Sequence, residues 1–259
     1  MNLVYRISGK GKTVLFLHGF CENKDLWLAF ENRLSASYQV IVVDLPGFGE
    51  SLDNTQYQSI DMMAREVFKA LSLEQIHHCV VVGHSLGGYV AMALADLYPQ
   101  LLSGLCLFHS TAYPDSDEKK HTRDKTATFI EKRGLEPFLE TFVPSIFFAD
   151  TRAALADRIK VYYERARQTP VATAVAVTKA MRDRPDRSAV LAKVDCPVMF
   201  IAGKEDTAVP IETNKAQFFL PKKSTIHILS DTAHMGMYEQ ETETLAMVEN
   251  FVRQTAIDF

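Results

Sequence analysis

Residues 83–87 read Gly-His-Ser-Leu-Gly, between the apolar run Cys-Val-Val-Val of residues 79–82 and a helix-forming stretch from Tyr89 onward. A serine hydroxyl is a poor nucleophile until a neighbouring base takes its proton, and its attack needs donors for the oxyanion it creates. A strand that turns tightly into a helix would force the central residue, Ser85, into a strained backbone conformation with its Oγ beyond the sheet edge. Side chains two residues before and after would collide across that turn, so glycine is expected at both. The helix behind it would set backbone N–H groups and positive dipole beside the serine. Taken alone, the pentapeptide equally suits a glycine-rich turn that packs closely or binds phosphate.

Other reactive groups are scattered. Cys21, Cys79, Cys106 and Cys196 form no CxxC pair, and three lie within or beside apolar runs, as buried reduced thiols do. His77-His78 precede a strand with no further ligands nearby, so no metal is expected there. The 259 residues suit one large domain, or a core with an insertion, and allow a core needing no disulfide or metal. The chain is 47% hydrophobic and 23% charged, with a net charge of −4 and no basic stripe, which argues against a nucleic-acid partner. No apolar run approaches the ~20 residues that span a bilayer, so no membrane partner is expected. The N-terminal stretch lacks the basic-then-apolar pattern of a secretory signal, which makes a cytoplasmic location the expectation.

The elements that must position Ser85 are legible as short apolar runs. TVLFL (13–17), VIVVD (40–44), CVVVG (79–83), LCLF (105–108), VMFIAG (198–203) and TIHIL (225–229) read as strands, mostly covered on both faces. The stretches 61–73 and 89–99 space their apolar residues for one buried helical face. Alternating strands and helices predict an α/β fold, a mainly parallel sheet flanked by helices. From Asp115 to Leu191 no strand is expected. Helices near 117–133, 135–143, 151–168 and 171–183, punctuated by Gly134, Pro144, Pro170 and Pro185, predict an inserted helical cap. The expected division is a core of 1–114 and 190–259 with a cap of 115–189.

With these elements placed, the sequence resembles the α/β-hydrolase family. His18-Gly19-Phe20 follows the first strong strand, like that family's oxyanion loop. Asp44-Leu-Pro46-Gly47-Phe-Gly49-Glu-Ser51 resembles its D-x-P-G-x-G-x-S turn. Gly203-Lys-Glu-Asp206, followed by Val209-Pro210, resembles its acid turn, and Thr232-Ala233-His234 stands where the family keeps its catalytic histidine. The likeness covers roughly 1–114 and 190–259 and implies the order Ser85, Asp206, His234. It further implies His234 as base, Asp206 as the group that fixes its tautomer, and the backbone N–H groups of Phe20 and Leu86 as the oxyanion hole. The implied function is a serine hydrolase on esters or thioesters, with a small acyl substrate and neither metal nor organic cofactor. Relatives of the same resemblance cleave carbon–carbon bonds or act as cofactor-free lyases. They bind carboxylates with arginines, for which Arg123, Arg133, Arg152 and Arg182 are available. A ligand receptor with residual activity is the reading from another class. The elbow serine argues against epoxide hydrolases and dehalogenases, which carry aspartate there.

Several residues keep two roles at this level. Glu205 adjoins Asp206, but the G-x-x-D spacing favours Asp206. No carboxylate appears after LCLF until Asp115, which also favours Asp206. His84 is expected to pack or hydrogen-bond beneath the elbow, His18 to hold the oxyanion loop, and His227 to be structural. His109, at the end of LCLF, could line the pocket or merely end the strand. Trp27 could wedge the loop against the core or touch ligand. Phe138, Leu139, Phe142, Ile146, Phe147 and Phe148, around Pro144, could form the pocket's roof or the cap's own core. Oligomeric state is not legible in the sequence.

Overall fold

The computed structural model describes residues 3–52 and 59–255; the core spans expected from the sequence include residues 1–2, 53–58 and 256–259, outside that set. Seven strands among the described residues form one sheet: β1 (Tyr5–Ser8), β2 (Thr13–Leu17), β3 (Gln39–Val43), β4 (Cys79–His84), β5 (Leu102–Phe108), β6 (Val198–Gly203) and β7 (Ser224–Leu229). Their order is β1-β3-β2-β4-β5-β6-β7, with β1 antiparallel to β3 and every other pair parallel. Strands β2 and β4 are buried along their whole length. Such side chains contribute roughly 1.5–3 kcal/mol each when fully buried. Two edges depart from expectation. β1, Tyr-Arg-Ile-Ser, alternates polar with apolar residues and is half-buried, so no apolar run announces it. β7 is mostly exposed because an edge strand is covered on one side only.

Helices α1 (Leu28–Leu34), α2 (Ile60–Leu73) and α3 (Leu86–Leu97) follow β2, β3 and β4 in turn. Ser59 caps α2 by accepting from the Met62 N–H, and Ile60, Met63, Ala64, Val67, Ala70 and Leu71 form its buried face. Between β5 and β6 the described chain is helical: α4 (Asp117–Arg133), α5 (Glu136–Ser145), α6 (Ala156–Ala166), α7 (Val171–Arg182) and the single turn α8 (Ser188–Leu191). α6 starts later than its pattern suggested because a 3₁₀ turn, Ala149–Thr151, precedes it. α4 buries little beyond Ala127 and Ile130, so its charged run is a solvated face. The closing elements are α9 (Ile211–Asn214), α10 (Gly236–Glu239) and α11 (Glu241–Thr255). Among the described residues no helix is long and apolar enough to cross a membrane.

The inserted helices are joined to one another by charge and reach the core through Arg184. Asp115 is buried against Arg123 (3.0 Å) and Arg184 (2.8 Å), and the Arg184 guanidinium lies 4.0 Å from the ring centre of Tyr89 on α3. Burial alone would push the Asp115 carboxyl up, but the two guanidinium groups hold it below its ordinary value.

Candidate active site

β4 runs into α3 through Ser85, whose φ of 50° and ψ of −112° lie in a region that a serine adopts only under constraint. The constraint comes from both sides. Ser85 N–H donates to the Phe108 carbonyl (3.0 Å) at the end of β5, and Ser110 Oγ donates to the Ser85 carbonyl (2.7 Å). A Cβ on Gly83 would lie 2.4 Å from the Gly87 carbonyl oxygen, as the collision argument requires. Gly87 is needed for a different reason: its Cβ would lie 2.3 Å from the Leu17 carbonyl oxygen at the end of β2. Ser85 is partly exposed, and its Oγ has no hydrogen-bond partner among the described residues.

Two loops bring a base and an acid to the same edge of the sheet. Asp206 ends the turn after β6, and His234 follows β7. His234 Nδ1 donates to Asp206 Oδ2 at 2.7 Å. Asp206 Oδ1 accepts from the amides of Ala208 (2.8 Å) and Val209 (2.9 Å). Burial by itself would raise the Asp206 carboxyl, but His234 and His109 hold it far below the usual carboxylate range. Asp206 is therefore a carboxylate that orients the imidazole and stabilises its protonated form. Glu205 is exposed, with no part in this contact.

His109 sits beneath the site rather than in a pocket wall: it is 1% exposed, at a φ of 47°. Its Nδ1 lies 3.2 Å from Asp206 Oδ2, and the Gly236 amide donates to its Nε2 at 3.3 Å. A hydrogen on Nδ1 satisfies both contacts. The opposite tautomer would suit only the Gly203 amide, 3.3 Å from Nδ1, and would oppose two lone pairs across the Asp206 contact. Burial lowers His109 to a pKa of about 4, so it acts as a neutral donor. The ligand atoms of His109, Asp206 and His234 lie within 4.8 Å of one another, close enough for an ion. Both Asp206 oxygens and both His109 nitrogens already have hydrogen-bond partners, so a cation would have to displace the His234–Asp206 bond.

The loop after β2 lies against the residues on either side of Ser85: a Cβ on Gly87 would lie 2.7 Å from the His18 carbonyl oxygen, and one on Gly19 would lie 2.8 Å from His84 Nδ1. His18 donates from Nδ1 to the Gly19 carbonyl (2.8 Å) and accepts the Leu45 amide at Nε2 (2.9 Å), a neutral brace for this loop. Burial lowers its pKa, consistent with that tautomer. The Phe20 and Leu86 amides donate to no described residue, and Leu86 heads α3, where the first N–H groups have no intrahelical acceptor. Asp44, in the glycine-rich turn after β3, accepts from the Lys24 amide (2.7 Å) and ammonium (2.7 Å) and from the Glu50 amide (2.9 Å).

Two buried or half-buried glutamates went unnoticed in the sequence. Glu22 is paired with His84 inside the site (3.0 Å). Glu239, on α10, accepts at Oε2 from the amides of Ala233 (3.0 Å) and Met235 (3.2 Å), the residues flanking His234. Its Oε1 accepts from Phe148 N–H (2.6 Å) and Thr151 Oγ (3.2 Å) of the insertion, while the His234 amide donates to the Ile146 carbonyl (3.0 Å). Neither stands out in the sequence, since each is followed at once by polar and charged residues.

Three of the expected pocket residues lie elsewhere. Trp27 is fully buried between Phe16, Phe30 and Phe108, the loop wedge and not a ligand contact. Phe147 is 1% exposed between Tyr162 of α6 and Tyr238 of α10 and belongs to the packed seam between the insertion and the core. His109 serves Asp206, as described above. Phe148 is half-buried, with its amide on Glu239. Phe138 and Phe142 of α5, two of the expected roof residues, are both half-buried, with ring centres 6.4 and 6.1 Å from Phe20 in the loop after β2.

Comparisons with known proteins bear on the family and the fold. Residues 14–247 match the model described as the alpha/beta hydrolase family. The chain is 28% identical over 250 residues to the dihydrolipoyllysine-residue acetyltransferase component of the acetoin cleaving system of Cupriavidus necator. That match covers 94% of this chain and 64% of the relative's length. It is 27% identical over 252 residues to a Bacillus subtilis protein provisionally named 2-succinyl-6-hydroxy-2,4-cyclohexadiene-1-carboxylate synthase, covering 91% of this chain and 90% of that one. Among solved structures, a thermophilic esterase from Thermogutta terrifontis superposes with a TM-score of 0.91 at 29% identity, over 98% of this chain and 93% of that one.

Proposed function

This chain belongs to the alpha/beta hydrolase family, and we propose that it is a serine hydrolase that cleaves esters or thioesters through an acyl-Ser85 intermediate. The observation that carries the reading is the strained Ser85 at the head of α3, at the same sheet edge as the unengaged Phe20 and Leu86 amides and the His234–Asp206 pair. In the first step Ser85 Oγ attacks the substrate carbonyl carbon and His234 takes the hydroxyl proton. The carbonyl oxygen becomes an oxyanion facing the Phe20 and Leu86 amides, each such donor contributing about 3–4 kcal/mol. Collapse of the tetrahedral intermediate breaks the bond to the leaving alcohol or thiol, which receives the proton from His234. Water, deprotonated by His234, then attacks the acyl carbonyl carbon; the bond to Ser85 Oγ breaks, His234 returns the proton to Oγ, and the acid leaves.

The carbon–carbon and lyase readings need free arginines for a substrate carboxylate. Arg123 is held by Asp115, Arg182 by Asp124 and Asp183, and Arg152 donates to the Phe147 carbonyl, while Arg133 is exposed. That engagement favours an ester or thioester with an apolar acyl group. The test is a panel of p-nitrophenyl esters and acyl thioesters of graded chain length beside a diketone, with wild type and Ser85→Ala. Ester or thioester turnover lost in Ser85→Ala is the expected result. Activity of the variant above about one per cent of wild type would remove Ser85 from the mechanism. Failure of Ser85 to take a fluorophosphonate label would favour a receptor.

A further inference from the structure

We propose that Glu22 and His84 form a carboxylate–imidazolium pair that positions the oxyanion loop and the catalytic histidine together and ties both to the inserted helices. The proposal rests on the reading of Ser85 as nucleophile. Glu22 is buried, and its two oxygens reach three segments. Oε2 accepts from the Gly19 amide, one residue before the oxyanion donor Phe20, and lies 3.0 Å from His84 Nδ1. Oε1 accepts from the Tyr162 hydroxyl of α6 at 3.3 Å. His84, next to Ser85, directs Nε2 at the main-chain carbonyl of His234, 3.0 Å away.

The charge of His84 follows from its partners. A carbonyl oxygen can only accept, so Nε2 carries a hydrogen. Nδ1 faces a carboxyl group, and the proton between them rests on the imidazole, the stronger base of the two in water. Both ring nitrogens of His84 are then protonated. The groups facing this ring are Glu22, Asp206, His234, His109 and His18, with Tyr162 on the far side of Glu22. His18 and His109 are held neutral by their own hydrogen bonds, so two carboxylates surround one imidazolium. Burial disfavours the charged ring, but Glu22, the His234 carbonyl and Asp206 together raise the His84 pKa, while His84 leads the groups that hold Glu22 below its ordinary value despite burial.

Glu22 is thus a positioning residue. Through Gly19 it aims the Phe20 amide, through His84 it holds the backbone of His234, and through Tyr162 it senses the seat of the insertion. Tyr162 packs edge-on against Phe147, so a displacement of that seam reaches the oxyanion loop by way of a single carboxylate.

The experiment uses the full chain with ¹⁵N-labelled histidine, at about pH 8, above the ordinary histidine pKa. Wild type should show one histidine with hydrogens on both ring nitrogens, absent in His84→Gln and reduced to one hydrogen in Glu22→Gln. Glu22→Gln should lower kcat by at least about tenfold with KM within about threefold, and slow fluorophosphonate labelling of Ser85 by the same factor. Tyr162→Phe should lower both by about two- to threefold. A His84 with a single ring hydrogen in wild type overturns the proposal. So does a Glu22→Gln protein that melts earlier yet is labelled at the wild-type rate below its Tm, because Glu22 would then only stabilise. If Glu22→Gln does not fold, the wild-type spectrum and the labelling of Tyr162→Phe decide. Turnover retained in Ser85→Ala would remove the nucleophile assignment and leave the protonation of His84 standing as a separate result.

Discussion

Replacing Asp206 with asparagine should remove almost all activity, and the arrangement of donors around the carboxylate sets the size of the loss. Every neighbour of its two oxygens is a donor: His234 and His109 at Oδ2, Ala208 and Val209 at Oδ1. Asparagine fits the same space but offers one acceptor oxygen and one NH₂. With its oxygen towards the amides, the NH₂ meets two imidazole N–H groups; with its oxygen towards the histidines, it meets two amides. Either way two buried donors lose their acceptor, at about 1–3 kcal/mol each, so stability falls by roughly 2–6 kcal/mol. The cheapest relief is for His234 to move its hydrogen to Nε2 and accept the NH₂ at Nδ1. That tautomer cannot take the Ser85 proton. The expected cost is then about ten-thousandfold in kcat, or about 5.5 kcal/mol of transition-state stabilisation, with KM little changed. The assay is steady-state hydrolysis of a p-nitrophenyl ester beside thermal unfolding, with Glu205→Gln as control, since Glu205 is exposed. Asp206→Asn retaining more than about a tenth of wild-type kcat, or Glu205→Gln proving the more damaging, would refute the reasoning.

Phe142→Ala should shift the optimum in an acyl-chain series to longer chains, each further CH₂ buried adding up to about 0.8 kcal/mol, or about fourfold in kcat/KM. Phe147→Ala should instead cost about 3–5 kcal/mol of stability, and an optimum that moves with Phe147 but not Phe142 would reverse the pocket assignment. Stability should have two pH limits, measurable as Tm across a buffer series. Asp206 and Glu22, with folded pKa values depressed, contribute stability present above the ordinary carboxylate pKa and lost as pH falls through their lower folded values. His84, with its folded pKa raised, contributes stability present below the ordinary histidine pKa and lost as pH rises through its higher folded value. The alkaline loss should vanish in His84→Gln; if it persists unchanged, another group causes it.

What the sequence determined by itself is what local chemistry dictates. Five of the seven strands are built on apolar runs, because a strand covered by helices has no polar face to interrupt it, while β7, Ser-Thr-Ile-His-Ile-Leu, was legible from its β-branched residues. The helical block between β5 and β6 was legible from its caps and breakers, and Ser85 from the glycines that a tight strand-to-helix turn demands. Residues matching the family's turns located Asp206 and His234, which the structure brings to 2.7 Å across 28 positions of chain. Tertiary structure alone decided the rest. β1 carries no apolar run, since an edge needs only half of its side chains buried. Glu22 and His84 stand 62 positions apart, and nothing near either announces that burial will pair them. The neutral state of His109 depends on a Gly236 amide 127 positions away. Trp27 and Phe147 read as candidates for ligand contact because aromatic residues suit a core and a pocket equally. Only packing distinguishes the two, by whether neighbouring side chains or open space face the ring.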